Sequence, residues 1–276
     1  MTLNKKKHLA FVAVAVLALL AWPGPAPSAG PEYLIAHRGG IVDERFAENS
    51  PGAVKAAIER GYWMIETDIW ESKDGRLVVQ HDPSFRRFFN ENRPVTEMTW
   101  SEIERLKANP GGTRPMQFHE LTALCRGKIS LMLDVKGASH SKQFYESMEK
   151  SLRETGLLKT TYVLGSSESK TFFRGKAFLS IDRKALRAAA QRGENVASLY
   201  FLMELGSQLD QETVEMANKL GVTVVAALNQ FRYEMAKQDH LIGAQQDILK
   251  LRKLGVRYFQ IDSIYDQWLL PSSAGR

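Results

Sequence analysis

Residues 50–70 read SPGAVKAAIERGYWMIETDIW, and the change of pattern inside this stretch decides the fold. Ser50 followed by Pro51 is a helix start, because a serine hydroxyl can accept from the first-turn amides and the fixed φ of proline suits the first helical position. The helix runs to Gly61, a residue that takes the left-handed conformation with which helices end. A strand at 63–70 follows at once. Helix, glycine, strand is one repeat of a barrel-like rhythm, and it recurs: a helix at 211–220 stops at Gly221 before a strand, and one at 241–254 stops at Gly255 before another.

Working outward, short apolar or β-branched runs at 33–36, 63–70, 76–80, 129–135, 161–165, 177–181, 199–202, 222–227 and 258–261 alternate with helical patterns. This is the signature of repeated βα units in an α/β protein. Nine candidates for the eight places of a barrel mean that one is extra. With no low-complexity linker after Pro31 and no internal repeat, residues 31–276 read as a single domain.

The first thirty residues differ from the rest. Lys5, Lys6 and Lys7 precede an uncharged apolar run at 9–22, and a Pro/Ala/Ser/Gly stretch follows. That layout is a secretory signal peptide over 1–30 with cleavage expected between Ala26 and Gly30, the apolar run being shorter than the roughly 20 residues of a membrane-spanning helix. The chain is therefore expected to be exported. Removing three lysines and no acids takes the net charge from +6 to +3. So small an excess argues against a nucleic-acid partner and suits an anionic substrate or membrane surface. The remaining composition, 44% hydrophobic and 25% charged, is that of a folded globular protein. Cys125 is the only cysteine, so no internal disulfide can form. It reads as a buried structural thiol.

The chemistry concentrates at strand ends. Residues two apart on a strand share a face, so Glu66 and Asp68 point the same way. Two adjacent carboxylates repel unless a cation or proton lies between them, and hard oxygen ligands suit Mg²⁺ or Ca²⁺. Asp134 and Lys136 share a face by the same rule, offering a third carboxylate and an ammonium that can meet a phosphate oxygen. Taken alone, Glu66 and Asp68 read more readily as two surface acids at a strand end, and Asp134 with Lys136 reads equally well as an internal ion pair. His37 and His81 each follow a strand candidate, and with ordinary pKa values near 6.5 two imidazoles can divide general-acid and general-base work. Arg38 supplies a planar donor fork fitted to phosphate, and Gly39 and Gly40 let backbone approach a ligand.

In order, His37-Arg38-Gly39, Glu48-Asn49-Ser50, Glu66-Thr67-Asp68 and Asp74-Gly75 with Val78-Val79-Gln80-His81-Asp82 resemble the H-R-G, E-N-[ST], E-x-D and D-G…V-V-x-H-D motifs of the glycerophosphodiester phosphodiesterases. The resemblance covers residues 33–82 strongly, 115–136 more weakly, and thereafter little beyond Gly255-Val256 leading to Asp262. It implies a modified TIM-type (β/α)8 barrel and one divalent cation, Mg²⁺ or Ca²⁺, on Glu66, Asp68 and position 134. His37 and His81 would then be acid and base, and Arg38 and Lys136 would bind phosphate. The expected activity is hydrolysis of a small-molecule or lipid-derived glycerophosphodiester to glycerol phosphate and an alcohol.

Two departures bear on substrate. Asp134-Val135-Lys136 stands where the family has E-x-K, which shortens the third ligand and is similar to the phospholipase D toxins that act on sphingomyelin and lysophospholipids; cleavage of such head groups is the alternative expectation. Ala226-Ala227-Leu228-Asn229 stands where the family has W-T-V-N, so a pocket wall is expected to change from indole to methyl at 226. Phe85, Phe88, Phe89, Trp100 and Phe118 read mainly as core, with a new pocket wall or a peripheral membrane contact as the expectation for any that reach the surface. Oligomeric state has no signal in the sequence.

Overall fold

The structure is a computed structural model that describes residues 30–270. The segment read as a signal peptide, with its cleavage site, lies outside the described residues except for Gly30. Eight parallel strands close a barrel: β1 (Tyr33–Ala36), β2 (Met64–Glu71), β3 (Ser130–Val135), β4 (Tyr162–Gly165), β5 (Phe178–Ile181), β6 (Tyr200–Leu205), β7 (Thr223–Leu228) and β8 (Tyr258–Ile261). β1 pairs with both β2 and β8, which completes the ring. Every strand takes part without interruption of the order, and the chain is one (β/α)8 domain.

The period of two divides each strand between two environments. Ile35, Met64, Met132, Tyr162, Phe201 and Val225 point inward and fill the barrel. Tyr33, Trp63 and Tyr258 close its lower end with edge-on and stacked rings. The intervening residues, among them Leu34, Ile65, Leu131, Val163, Leu202 and Phe259, face outward and pack with the helices. Cys125 belongs to this outer shell, fully buried, and burial pushes its thiol up to about 12. A thiol so shielded packs as an apolar group.

Helix α1 (Pro51–Glu59) begins as its sequence requires: the Ser50 hydroxyl accepts from the Ala53 amide at 3.2 Å. The later helices read from the sequence occupy Gln211–Lys219 and His240–Lys253, each followed by a glycine at positive φ.

The surplus strand candidate is 76–80. β2 runs beyond the barrel, turns at residues 72–76, and Leu77–Val79 returns antiparallel to it with Ile69 opposite Val79 and Glu71 opposite Leu77. This strand is an appendage of the rim, and a small second core of Phe85, Val95, Met98 and Ile103 packs beside it. Of the aromatics considered above, Phe85 and Phe118 are buried, and Phe88, Phe89 and Trp100 are half-buried. Among the described residues no helix is long and apolar enough to cross a membrane.

Replacing Ser50 by alanine removes the α1 cap and is expected to lower stability by about 1 kcal/mol. A urea melt showing an unchanged midpoint would contradict that role.

Candidate active site

Each inward row continues upward into chemistry. On β2 the row Met64, Glu66, Asp68 ends in two carboxylates, and on β3 Met132 leads to Asp134 and then Lys136. β2 and β3 pair so that Asp68 and Asp134 are direct register partners. On β1 the row reaches His37, on β7 it reaches Ala227 and Asn229, and on β8 it reaches Gln260 and Asp262. All seven residues expected at the site, His37, Arg38, Glu66, Asp68, His81, Asp134 and Lys136, line one cleft of about 750 Å³ at the C-terminal mouth of the barrel. This is where TIM barrels carry their reactive groups.

The acids form its floor. Glu66, Asp68 and Asp134 offer oxygens that all lie within 4.8 Å of one another. The shorter side chain at 134 therefore reaches the cluster. Glu66 and Asp68 are almost wholly buried. Burial, then the charges of Asp68 and Asp134, push the Glu66 carboxyl well above its ordinary value, against a hydrogen bond from the Arg38 amide. Positive charge is already drawn in: the Lys136 ammonium lies 2.9 Å from Asp68 Oδ1 and 2.6 Å from Asp134 Oδ2. Burial alone would discharge this lysine, but the two aspartates outweigh it and raise its pKa. Three hard oxygen donors in a largely buried floor with an excess of negative charge fit a divalent cation.

The loop after β1 does two jobs. Arg38 adopts the left-handed conformation at φ 54°, which costs a non-glycine residue about 1–2 kcal/mol. In return its amide donates to Glu66 Oε2 at 2.9 Å while its guanidinium reaches Glu48 Oε2 at 3.3 Å. The buried Nε of Arg38 has no acceptor among the described residues. Gly39, at φ +79°, is required here, since a Cβ would come within 2.5 Å of Asn49 Oδ1.

Each histidine is held by a carboxylate. His37 Nδ1 lies 2.6 Å from Asp262 Oδ1, and its Nε2 faces Glu66 at 4.0 Å. Burial works to raise Asp262, but the hydrogen bonds from His37 and the Gln230 amide prevail and hold it below the usual carboxylate range. His81 Nδ1 lies 2.7 Å from Asp82 Oδ1, whose other oxygen accepts from Arg87 at 3.0 Å. Burial lowers the His81 imidazole below its ordinary 6.5, only partly offset by Asp68 and Asp82. His81 reaches the rim through the returning strand, where the Gln80 amide donates to the Asp68 carbonyl at 3.0 Å.

Several residues quoted only for their motifs acquire roles. Glu48, buried and pushed up to about 7 by desolvation against the pull of Arg87 and Arg38, clamps both arginines. Asn49 accepts from Thr67 at 2.9 Å and donates to Asp68 at 3.5 Å, fixing the carboxylate from behind. Asp262 continues the inward phase of β8 and was legible from it. Arg87 and Phe231 sit in the helices Arg86–Phe89 and Gln230–Met235, which are too short for periodicity to announce them. One expectation is corrected: Ala226 is fully buried in the outer shell opposite Phe259, and the cleft wall is made by Ala227. Alternation along β7 turns position 226 toward the helices, so its side chain does not shape the pocket.

A TIM barrel whose mouth gathers three carboxylates, two carboxylate-anchored histidines and a phosphate-fitted arginine has the equipment of the metal-assisted phosphodiesterase class. The chain belongs to the glycerophosphoryl diester phosphodiesterase family, whose model matches residues 37–254. It is 26% identical over 169 residues to human glycerophosphodiester phosphodiesterase 1, covering 57% of this chain and 48% of that one. To a glycerophosphodiester phosphodiesterase of Caldanaerobacter subterraneus it is 41% identical over 75 residues, 27% of this chain and 30% of the relative. The chain thus spans less than half the length of these curated relatives. Among solved structures, a glycerophosphoryl diester phosphodiesterase from Parabacteroides distasonis superposes with a TM-score of 0.68 at 20% identity, over 90% of this chain and 91% of that one. A phosphodiesterase from Oleispira antarctica, solved with the product sn-glycerol-3-phosphate, gives 0.62 at 17% identity, over 84% and 93%.

Because Glu66 binds protons more tightly than an ordinary carboxyl, cation binding must displace them. Calorimetry in buffers of different ionisation enthalpy should show proton release on adding Mg²⁺ or Ca²⁺, with affinity falling as pH falls. At one hundred times Kd the cation should stabilise the fold by about 2.7 kcal/mol, a thermal shift that Asp68→Asn abolishes. A shift retained in that variant would place the ion elsewhere.

Proposed function

We propose that this protein hydrolyses glycerophosphodiesters to glycerol phosphate and an alcohol. The observation that carries the reading is the meeting of Glu66, Asp68 and Asp134 with two carboxylate-anchored histidines and Arg38 in one cleft. Mg²⁺ or Ca²⁺ held by the three acids would neutralise charge on the phosphorus-bound oxygens. Arg38, with an unpaired Nε, and Lys136 supply the protein's own positive charge to the phosphate.

The histidines divide the proton transfers. His81, whose imidazole burial holds below its ordinary value, takes the proton of the attacking hydroxyl, whether of water or of the substrate's own glycerol. Asp82 fixes the ring so that Nδ1 is engaged and Nε2 is free. His37, its Nδ1 tied to Asp262, gives a proton from Nε2 to the departing alkoxide, which leaves as the alcohol. Asp134 is the observation behind a second reading, phospholipase D-type cleavage of lysophospholipid or sphingomyelin head groups; turnover of lysophosphatidylcholine in preference to glycerophosphocholine would decide for it. The basic, apolar N-terminal segment further supports export, and a mature protein beginning between residues 27 and 31 is the expected mass-spectrometric result.

His37→Ala and His81→Ala should each lower kcat by about 10²–10⁴-fold with thermal stability retained. A diester with a nitrophenol leaving group needs no acid, so it should restore much of the loss in His37→Ala and little in His81→Ala. The reverse pattern would exchange the two roles, and near-normal turnover by either variant would remove the pair from the mechanism.

A further inference from the structure

The reacting groups occupy only one side of the large cleft, and its far wall comes from the ends of β5, β6 and β7. Four further charged residues stand there: Asp182, Arg183, Glu204 and Arg232. Three are already engaged. Asp182 caps the helix Arg183–Gln191 by accepting from the Ala185 amide at 2.8 Å. Glu204 is gripped at both oxygens by Arg183, at 3.0 and 2.6 Å, and the same guanidinium also meets Asp210 and the Gln208 carbonyl.

Arg232 is different. It is exposed to the cleft and makes no ion pair or side-chain hydrogen bond among the described residues; its guanidinium lies over the Phe231 ring, 4.6 Å from the centroid. Phe231 also lies under Arg38, at 5.9 Å, and alongside His37, with ring centroids 6.4 Å apart. One aromatic ring thus spans from the phosphate-facing groups to a cation that has no ion-pair partner among the described residues. It also lines a second pocket of about 350 Å³ with Glu48, Arg87 and Asp262, so it stands between two compartments of unequal size that meet at His37 and Arg38.

Resting on the hydrolytic reading above, we propose that Arg232 is a specificity-determining residue that selects glycerophosphodiesters whose alcohol carries a second anionic group, a carboxylate or a phosphate, seated in the larger compartment. The glycerol side takes the smaller one. On the far wall Glu204 is held at both oxygens by Arg183 and Asp182 is engaged through one oxygen as the cap of its helix, so neither acid is as open to a cationic head group as Arg232 is to an anion. An anionic group finds an unpaired planar donor fork held in place by stacking.

The test compares kcat/KM for glycerophosphoserine, glycerophosphoinositol 4-phosphate and glycerophosphocholine in the wild type, Arg232→Ala and Arg232→Glu. The wild type should favour the two anionic substrates over the choline ester. Arg232→Ala should cut the anionic-to-choline ratio on the order of tenfold, mainly through KM. Arg232→Glu should reverse the ranking, and added salt should shrink the wild-type preference. Loss for serine alone or for the inositol phosphate alone identifies which anion the site takes. A wild type that prefers the choline ester, or equal losses for all three substrates in Arg232→Ala, overturns the proposal while leaving the hydrolytic reading intact. Absence of turnover of every diester by the wild type, with cation present, fails the hydrolytic reading instead.

Discussion

Three carboxylates crowded into the barrel mouth are the constraint around which this molecule is arranged. Unscreened, they repel, and Glu66 answers by holding a proton more tightly than an ordinary carboxyl. Everything nearest to them supplies positive charge or donors: the Arg38 amide to Glu66, the Lys136 ammonium to Asp68 and Asp134, the Asn49 amide to Asp68. Three acids facing one ammonium leave an excess of negative charge, which separates the floor from an ordinary buried ion pair. It also explains why the loop after β1 tolerates a left-handed arginine, since the strained backbone delivers an N–H where an acid needs one.

The second shell of contacts extends that logic sideways. Glu48 would be an unpaired acid without Arg38 and Arg87, and Arg87 in turn reaches Asp82, which orients His81. The E-N-S segment thereby links the acid floor, the phosphate side and one imidazole, with Ser50 beginning the helix that supports them. A motif of three residues has three separate physical tasks.

Much of this was legible in the sequence because strand alternation is a strict rule. The two-residue spacing of Glu66 with Asp68 and of Asp134 with Lys136 implied shared faces, and register brought the two faces together. The same rule, applied to β7, would have turned Ala226 away from the pocket, where motif comparison alone placed it in the wall. What periodicity cannot announce is what lies in segments too short to show it: Arg87 in a single helical turn, Phe231 and Arg232 in the short helix after β7, Asp82 beyond a returning strand. Their places are set by packing between segments distant in sequence. The surplus strand candidate shows the same limit, because a run of valines reads identically whether it joins the barrel or folds back on its rim.

That returning strand ties parts of the site that could have been independent. β2 supplies two acids of the floor, then turns, and its antiparallel partner brings His81 back beside Asp68 through a backbone bond from Gln80. Two of the three floor acids and the imidazole therefore share one hairpin and its ladder. Any fluctuation that frays this hairpin loosens both at once, so the site is expected to fail as a cooperative unit rather than piece by piece. A partly opened mouth would then hold neither ion nor ordered histidine, and half-competent states in which one operates without the other would be scarce.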